Sequence, residues 1–301
     1  MKNNAYGMIL GSFVGDSLAL GVHWIYETNI IKQKFGRVDT FLKPLPDSYH
    51  PSKDKGGFTH YGDQEMVLLE STSAKKKFDL EDFSWRWRSL FKDYKGYMDQ
   101  ATRGTLANYA AGKKASDAGS MSNELSGAIR IAPLAALYSQ DLAGLVAAAR
   151  AQTAMTHRDP LTVDCSEFFA RLLFHILKGA RPSDAMEKTA AERFTGLPIE
   201  SWFSAGRDSI GEDSISEISR FGQSCHTPDA FPGIVHLVCK YEKDLREALI
   251  QAVMAGGDNA TRAMAVGMIL GAHLGMEAIP EEWVSGLTKK SRIMELAESI
   301  I

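Results

Sequence analysis

Apolar residues recur along the chain at the three-and-four spacing of one-sided helices. Phe83, Trp87, Leu90, Phe91 and Tyr94 form one such set, and Leu245, Ala248, Leu249, Ala252 and Val253 form another. Each set occupies one face of a helix that packs on a core. Asp79, followed by Glu81 and Asp82, predicts a helix start, because a capping oxygen and first-turn negative charge satisfy the free N–H groups there. Alternation of the strand kind is almost absent. Proline, which breaks helix interiors, is missing between Ser52 and Ala132 and again from Gly233 to Ile279, so both stretches permit long helices. The predicted fold class is all-α, a single many-helix orthogonal globule over residues 1–301 without linker or low-complexity tract.

Glycine adds a second pattern. Gly7, Gly11 and Gly15 recur every fourth residue near one end, and Gly267, Gly271 and Gly275 near the other. Each trio bares one helix face, at about 1 kcal/mol per Gly relative to Ala. Two readings account for that cost: tight core packing, or seams that meet at a shared centre, with Asp16 beside one and Asp258 and Thr261 opening the other. The apolar runs Ala5 to Val14 and Ala263 to Met276 fall short of the roughly 20 residues of a membrane span and read as buried helices. The first lacks a clear small-x-small cleavage site, which sets a secretory signal aside.

Composition narrows the function. The 301 residues are 45% hydrophobic and 24% charged, within the range of globular domains, which excludes disorder and disulfide-stapled miniproteins. With 34 basic and 37 acidic residues there is no field of one sign to recruit nucleic acid or an anionic membrane. Three cysteines without a C-x-x-C pair encode neither a disulfide framework nor a zinc ribbon, and fit a reducing, cytoplasmic compartment. P-loop, nucleophile-elbow, dinucleotide-binding and zincin motifs are missing from the sequence. The Lys75-Lys76-Lys77 run reads as a solvated helix end.

Three segments carry chemistry. Gly256-Gly257-Asp258-Asn259-Ala260-Thr261 is a turn into a helix, with Asp258 and Thr261 on one face. Gly62-Asp63 leads into another apolar helical run. Either Asp reads as a helix cap or as an oxygen ligand. Thr156-His157-Arg158-Asp159-Pro160 is a polar loop whose His157 either anchors the loop or acts on a ligand. Two carboxylates and a hydroxyl, if they converge, suit Mg²⁺ or Mn²⁺.

In order along the chain, these segments resemble the ADP-ribosylglycohydrolase family, all-helical enzymes that remove ADP-ribose from modified side chains with a two-metal Mg²⁺ or Mn²⁺ site. The likeness runs from Gly7 to about Gly275 and includes Gly15-Asp16-Ser17-Leu18, Ala101-Thr102-Arg103-Gly104, Arg130-Ile131-Ala132-Pro133, Thr156-His157 and Gly256-Gly257-Asp258. The departures fall on the metal motifs. Against Thr-Asp-Asp-Thr-x-Met the chain has Tyr61-Gly62-Asp63-Gln64-Glu65-Met66, and against Asp-x-Asp-Thr it has Asp258-Asn259-Ala260-Thr261.

The resemblance implies hydrolysis of a ribosyl glycosidic bond in an ADP-ribosylated or related small-molecule substrate. At most one Mg²⁺ or Mn²⁺ is expected, held by Asp63, Asp258 and Thr261. Its alternative is an inactive relative that binds ADP-ribose or a nucleotide. Asp16, Tyr97, Asp99, Thr102, Ser126 and His157 are the expected lining of the substrate cleft. His23 stands at the family's ribose-contacting Glu, and Glu27 would share its face if the first helix continued, so His23, Glu27 and Asp63 are the expected catalytic groups. Arg262 is placed by adjacency to bring a fixed cation near the lost ligands.

Overall fold

The computed structural model describes residues 2–301 and is built from α-helices, with no strand among the described residues. Two helices form its axis, Lys2–Ala19 and Asn259–Leu274, and both are buried along nearly their whole length. Around them pack His60–Lys75, Ala132–Leu137, Pro160–Leu177, Thr227–Lys240 and Leu245–Met254.

The glycine trios explain how the axis forms. Gly7 faces Gly271, Gly11 faces Gly267, and Gly15 faces Ala263, so the two helices run antiparallel. A Cβ on Gly11 or on Gly267 would come closer than 3.0 Å to the opposing carbonyl oxygen. The backbones touch directly, and dispersion across that contact offsets the low helix propensity of glycine. Antiparallel packing also brings the C-terminal end of the first helix beside the N-terminal end of the last. The two readings of the glycines are therefore one: the packing seam is what joins the motif residues.

Local expectations meet their structure in several places. Asp79 caps Leu80–Leu90 by accepting from Asp82 N–H at 3.0 Å, and Asp159 caps Pro160–Leu177 from Thr162 N–H. The first apolar set is shorter than its periodicity predicts: the helix ends at Leu90, and Tyr94 lies in the following loop with its hydroxyl turned to Asp63. Pro232 sits inside Thr227–Lys240, in the second turn, contrary to its expected role as a breaker. The lysine run does end a helix, with Lys76 as a left-handed C-cap. The first apolar segment is longer than expected, because Lys2–Val22 spans 21 residues, long and apolar enough to cross a membrane by length and composition. In the fold 94% of its apolar window is buried against other helices.

The seam yields a stability prediction. Gly267→Ala forces the two axial backbones apart and is expected to destabilise the fold by about 1–3 kcal/mol, the usual cost of overpacking a core. Gly211→Ala serves as a surface control, since a Cβ there meets nothing and its backbone is outside the left-handed region, as at Gly267. Equilibrium urea unfolding that found Gly267→Ala neutral would show that the seam is not under contact.

Candidate functional site

The site forms where the two axial helices end. After Ala19 the chain makes a short turn at Leu20–Val22 and then leaves the helix, with Trp24 in the left-handed region at φ 66°. A tryptophan held there costs on the order of 1–3 kcal/mol. Its N–H donates to Gly257 O at 2.9 Å, and Gly257 N–H donates back to Ile25 O at 2.9 Å. Gly256 and Gly257 both take positive φ and lie against Ile25 and Gln223, positions where a side chain would collide. This reciprocal pair fixes His23 against Asp258.

His23 Nε2 donates to Asp258 Oδ1 at 2.9 Å, and its Nδ1 accepts from His50 Nε2 at 2.8 Å. Burial holds the pKa of His23 and of His50 below the ordinary value. Burial raises that of Asp258, but His23 and Thr261 together outweigh it and leave the carboxylate below the usual range. The relay is therefore two neutral imidazoles ending on an ionised carboxylate. With both nitrogens committed and the residue 3% exposed, His23 has no free atom to offer a ligand, which corrects its expected role as acid or base. Glu27 is corrected too: the first helix stops before it, and it stands exposed at the start of Thr28–Phe35.

Asp63 lies in the first turn of His60–Lys75, whose cap is Thr59 rather than Asp63. Lys53 Nζ bonds directly to Asp63 Oδ2, Tyr94 OH donates to the same oxygen at 2.7 Å, and Lys289 Nζ stands 3.8 Å from Oδ1. Asp63 and Asp258 share no hydrogen-bond partner. Gly62 lies against Asp16, and a Cβ there would come within 2.5 Å of the Asp16 carboxylate. Asp16 thus leaves no room for a side chain at position 62. It accepts from Thr59 N–H at 2.7 Å and Thr59 OH at 2.5 Å, and burial raises its pKa to about 7.

These residues do not fit a pair of divalent ions. Among the described residues no group of three or more His, Cys, Asp or Glu is arranged to hold a metal. The Asp258 side capped by Thr261 N–H at 3.4 Å leaves Asp258 Oδ2 and Thr261 Oγ1 buried without partners. Arg262, 1% exposed, turns inward, bonds Ala252 O at 3.0 Å, and is supported by the Asp258 charge against burial, which brings its pKa down to about 10. It is a cation at neutral pH.

Beside this centre opens a 260 Å³ cleft lined by Trp24, Tyr49, Tyr97, Asp99, Glu124 and Cys225, among others. Trp24 meets Tyr49 and Tyr97 edge to face at 4.9 and 4.8 Å, making an aromatic wall. Asp99 caps Gln100–Ala110 through Thr102 N–H at 2.6 Å and presents Oδ2 to His60 Nε2 at 3.2 Å. Burial raises the Asp99 pKa, yet His60 outweighs it and holds the carboxyl well below the usual range. Glu124 Oε2 stands 3.7 Å from His157 Nε2. The His157 ring lies flat against Gly127 and bonds Thr156 OH at 2.8 Å. The fully buried Arg130 ties Gln64, Gln152 and Thr156 together behind them. Ser126 is buried with an unpaired hydroxyl.

Of the expected lining, the fold brings Tyr97 and Asp99 to this cleft; Thr102 and His157 are buried beside Asp99 and Glu124 without lining it, and Asp16 and Asp63 stand in a separate network. Sequence reasoning missed Lys53, His50, His60 and Glu124. A signal existed, since His50, Lys53 and His60 crowd within eleven positions before a helix. A larger cavity, 730 Å³, shares none of these residues and is lined by Met276, Ile279, Pro280 and Val284 with flanking charges.

A family model described as ADP-ribosylglycohydrolase matches residues 1–301. Crystallin J1A of Tripedalia cystophora is 26% identical, over 99% of this chain and 96% of its own. The ADP-ribosyl-[dinitrogen reductase] glycohydrolase of Rhodospirillum rubrum is 24% identical, over 96% of this chain and 92% of its own. A solved structure titled ADP-ribosylglycohydrolase-related protein complex shares the fold with a TM-score of 0.78 at 24% identity, over 99% of this chain and 97% of that one.

The buried acids make stability depend on pH. Glu65, bonded by Ser12 OH at 2.7 Å, has its pKa raised by burial from 4.5 to about 8. Its folded state binds the proton more tightly than the unfolded chain. The stability this supplies is whole below 4.5 and drains as pH rises to about 8, by up to about 1.4 kcal/mol per pH unit. Glu65→Gln is expected to flatten that slope in urea titrations across the window; an unchanged slope would place an ionised Glu65 in the core.

Proposed function

Because the chain belongs to the ADP-ribosylglycohydrolase family, we propose that its aromatic-walled cleft takes up an ADP-ribosyl or related ribosyl group and hydrolyses the glycosidic bond at its floor. The observation that carries this reading is the group of polar residues at the cleft wall, where Asp99 and Glu124 line the cleft and His60 and His157 stand against them. His60 Nε2, Asp99 Oδ2, Glu124 Oε2, Ser126 Oγ and His157 Nε2 are all buried and lack an aligned hydrogen-bond partner within the protein. Unpaired buried polar atoms are costly, and those of Asp99 and Glu124 belong to residues of the cleft wall, where a side-chain shift brings them to a ligand rich in hydroxyls.

Glycosidic cleavage passes through an oxocarbenium-like state and needs a proton donor for the leaving group and a carboxylate facing the positive charge. Asp99, kept ionised beside His60, suits the second task. Glu124, backed by His157, suits the first, and Trp24, Tyr49 and Tyr97 give stacking surface and keep bulk water out. The bond between the anomeric carbon and the leaving atom breaks, the leaving atom takes the proton from Glu124, and water adds to the anomeric carbon while giving one proton back to Glu124. No divalent ion enters these steps. Of the expected ligands, Asp63 is bonded by Lys53 and Tyr94, and a single Mg²⁺ or Mn²⁺ would be left with Asp258 and Thr261.

A second reading, binding without hydrolysis, is favoured by one observation: Asp63, the one acid kept from the family's first metal motif, is neutralised from within. A relative named as a crystallin is consistent with a non-enzymatic use of the scaffold.

The readings separate in one experiment. ADP-ribose is expected to raise the melting temperature of the protein, as any ligand specific to the native state does, and to do so equally with EDTA and with Mg²⁺. Release of ADP-ribose from modified arginine, serine or small-molecule conjugates is then measured in EDTA. Glu124→Gln is expected to cut turnover by about 10²–10⁴-fold, the range for a lost general acid, while keeping the thermal shift. A shift without turnover in the unmodified protein establishes the binder, and no shift removes both readings.

A further inference from the structure

We propose that the turn from His50 to Lys53 is a built-in replacement for the family's divalent ions, with the Lys53 ammonium as the permanent counter-ion of Asp63. The inference concerns cation occupancy and holds whether or not the cleft cuts its ligand.

The turn is closed by Lys53 N–H donating to His50 O at 3.0 Å, and it reaches both halves of the degraded metal centre at once. At one end His50 donates to His23, which donates to Asp258. At the other, Lys53 bonds Asp63. Its ammonium is held over the Tyr94 ring at 5.2 Å, and the same tyrosine donates its hydroxyl to Asp63. The Lys53 side chain is only 17% exposed and that of Asp63 only 9%, so the pair is screened little by solvent.

Charge counting shows why a divalent ion is excluded. Lys53 and Lys289 bring two positive charges to Asp63, so even with Asp16 ionised nearby the surroundings carry no net negative charge before any ion arrives. On the other side Arg262, a buried cation, lies in the field of Asp258. A divalent ion at Asp63 would have to displace Lys53 and stand beside Lys289, and one at Asp258 would stand near the buried Arg262 cation. A tethered ammonium also needs no ion from solution.

Mn²⁺ binding, followed by electron paramagnetic resonance on the full chain, tests the idea without reference to turnover. The unmodified protein and Lys53→Arg are expected to leave millimolar Mn²⁺ free. Lys53→Met combined with Lys289→Met is expected to bind Mn²⁺ at least tenfold more tightly than the unmodified protein, and Asp63→Asn in that background is expected to abolish the gain. Circular dichroism melts on the same samples establish that each variant is folded. Should Lys53→Met with Lys289→Met prove unfolded, Lys53→Gln replaces it, with the same expected gain. Mn²⁺ binding by the unmodified protein as tight as by the variants would overturn the proposal, as would a folded variant that gains none, or a gain that survives Asp63→Asn.

Discussion

Backbone contact between two glycine-faced helices is the constraint from which the rest follows. Where Gly11 and Gly267 meet, no side chain separates the rods, so their register is set by carbonyl and Cα atoms rather than by adaptable rotamers. Antiparallel register then leaves no choice about what lies at the ends. The turn after Ala19 must stand beside the turn before Asn259, and His23 must meet Asp258. The strained Trp24 is stabilised there by the Gly257 bond, and its ring walls the cleft.

Four acids lie in or near this junction, and each is accommodated in its own way. Asp16 is held by burial near the point of protonation. Asp63 takes an ammonium, Asp258 a neutral imidazole relay with a guanidinium nearby, and Asp99 the imidazole of His60. Buried charge is tolerated only when it is paired, and here the chain supplies the partners itself. That distribution separates a structural half, built on Asp16, Asp63 and Asp258, from a cleft half in which Asp99 and Glu124 line the aromatic-walled opening.

Much of the fold was legible because periodicity and propensity are local. The apolar steps of Phe83 to Leu90 and Leu245 to Val253, the caps at Asp79 and Asp159 and the glycine spacing all describe what one helix does with its own residues. The errors came where a distant partner overrode that signal. Tyr94 continues the apolar stripe but leaves the helix for Asp63, and Pro232 is absorbed within an early helical turn.

By itself the sequence determined an all-helical chain with two bare helix faces, and by resemblance the family and the loss of its metal ligands. Those are properties of residue order, because a helix face or a motif is complete within a few turns. Which cation answers each acid was decided by tertiary structure alone. Lys53 is ten residues from Asp63, Lys289 is far along the chain, and His50 reaches Asp258 only through His23. Coulomb forces act through space rather than along the backbone, so a carboxylate that reads as a metal ligand in sequence becomes half of an ion pair once the fold closes around it.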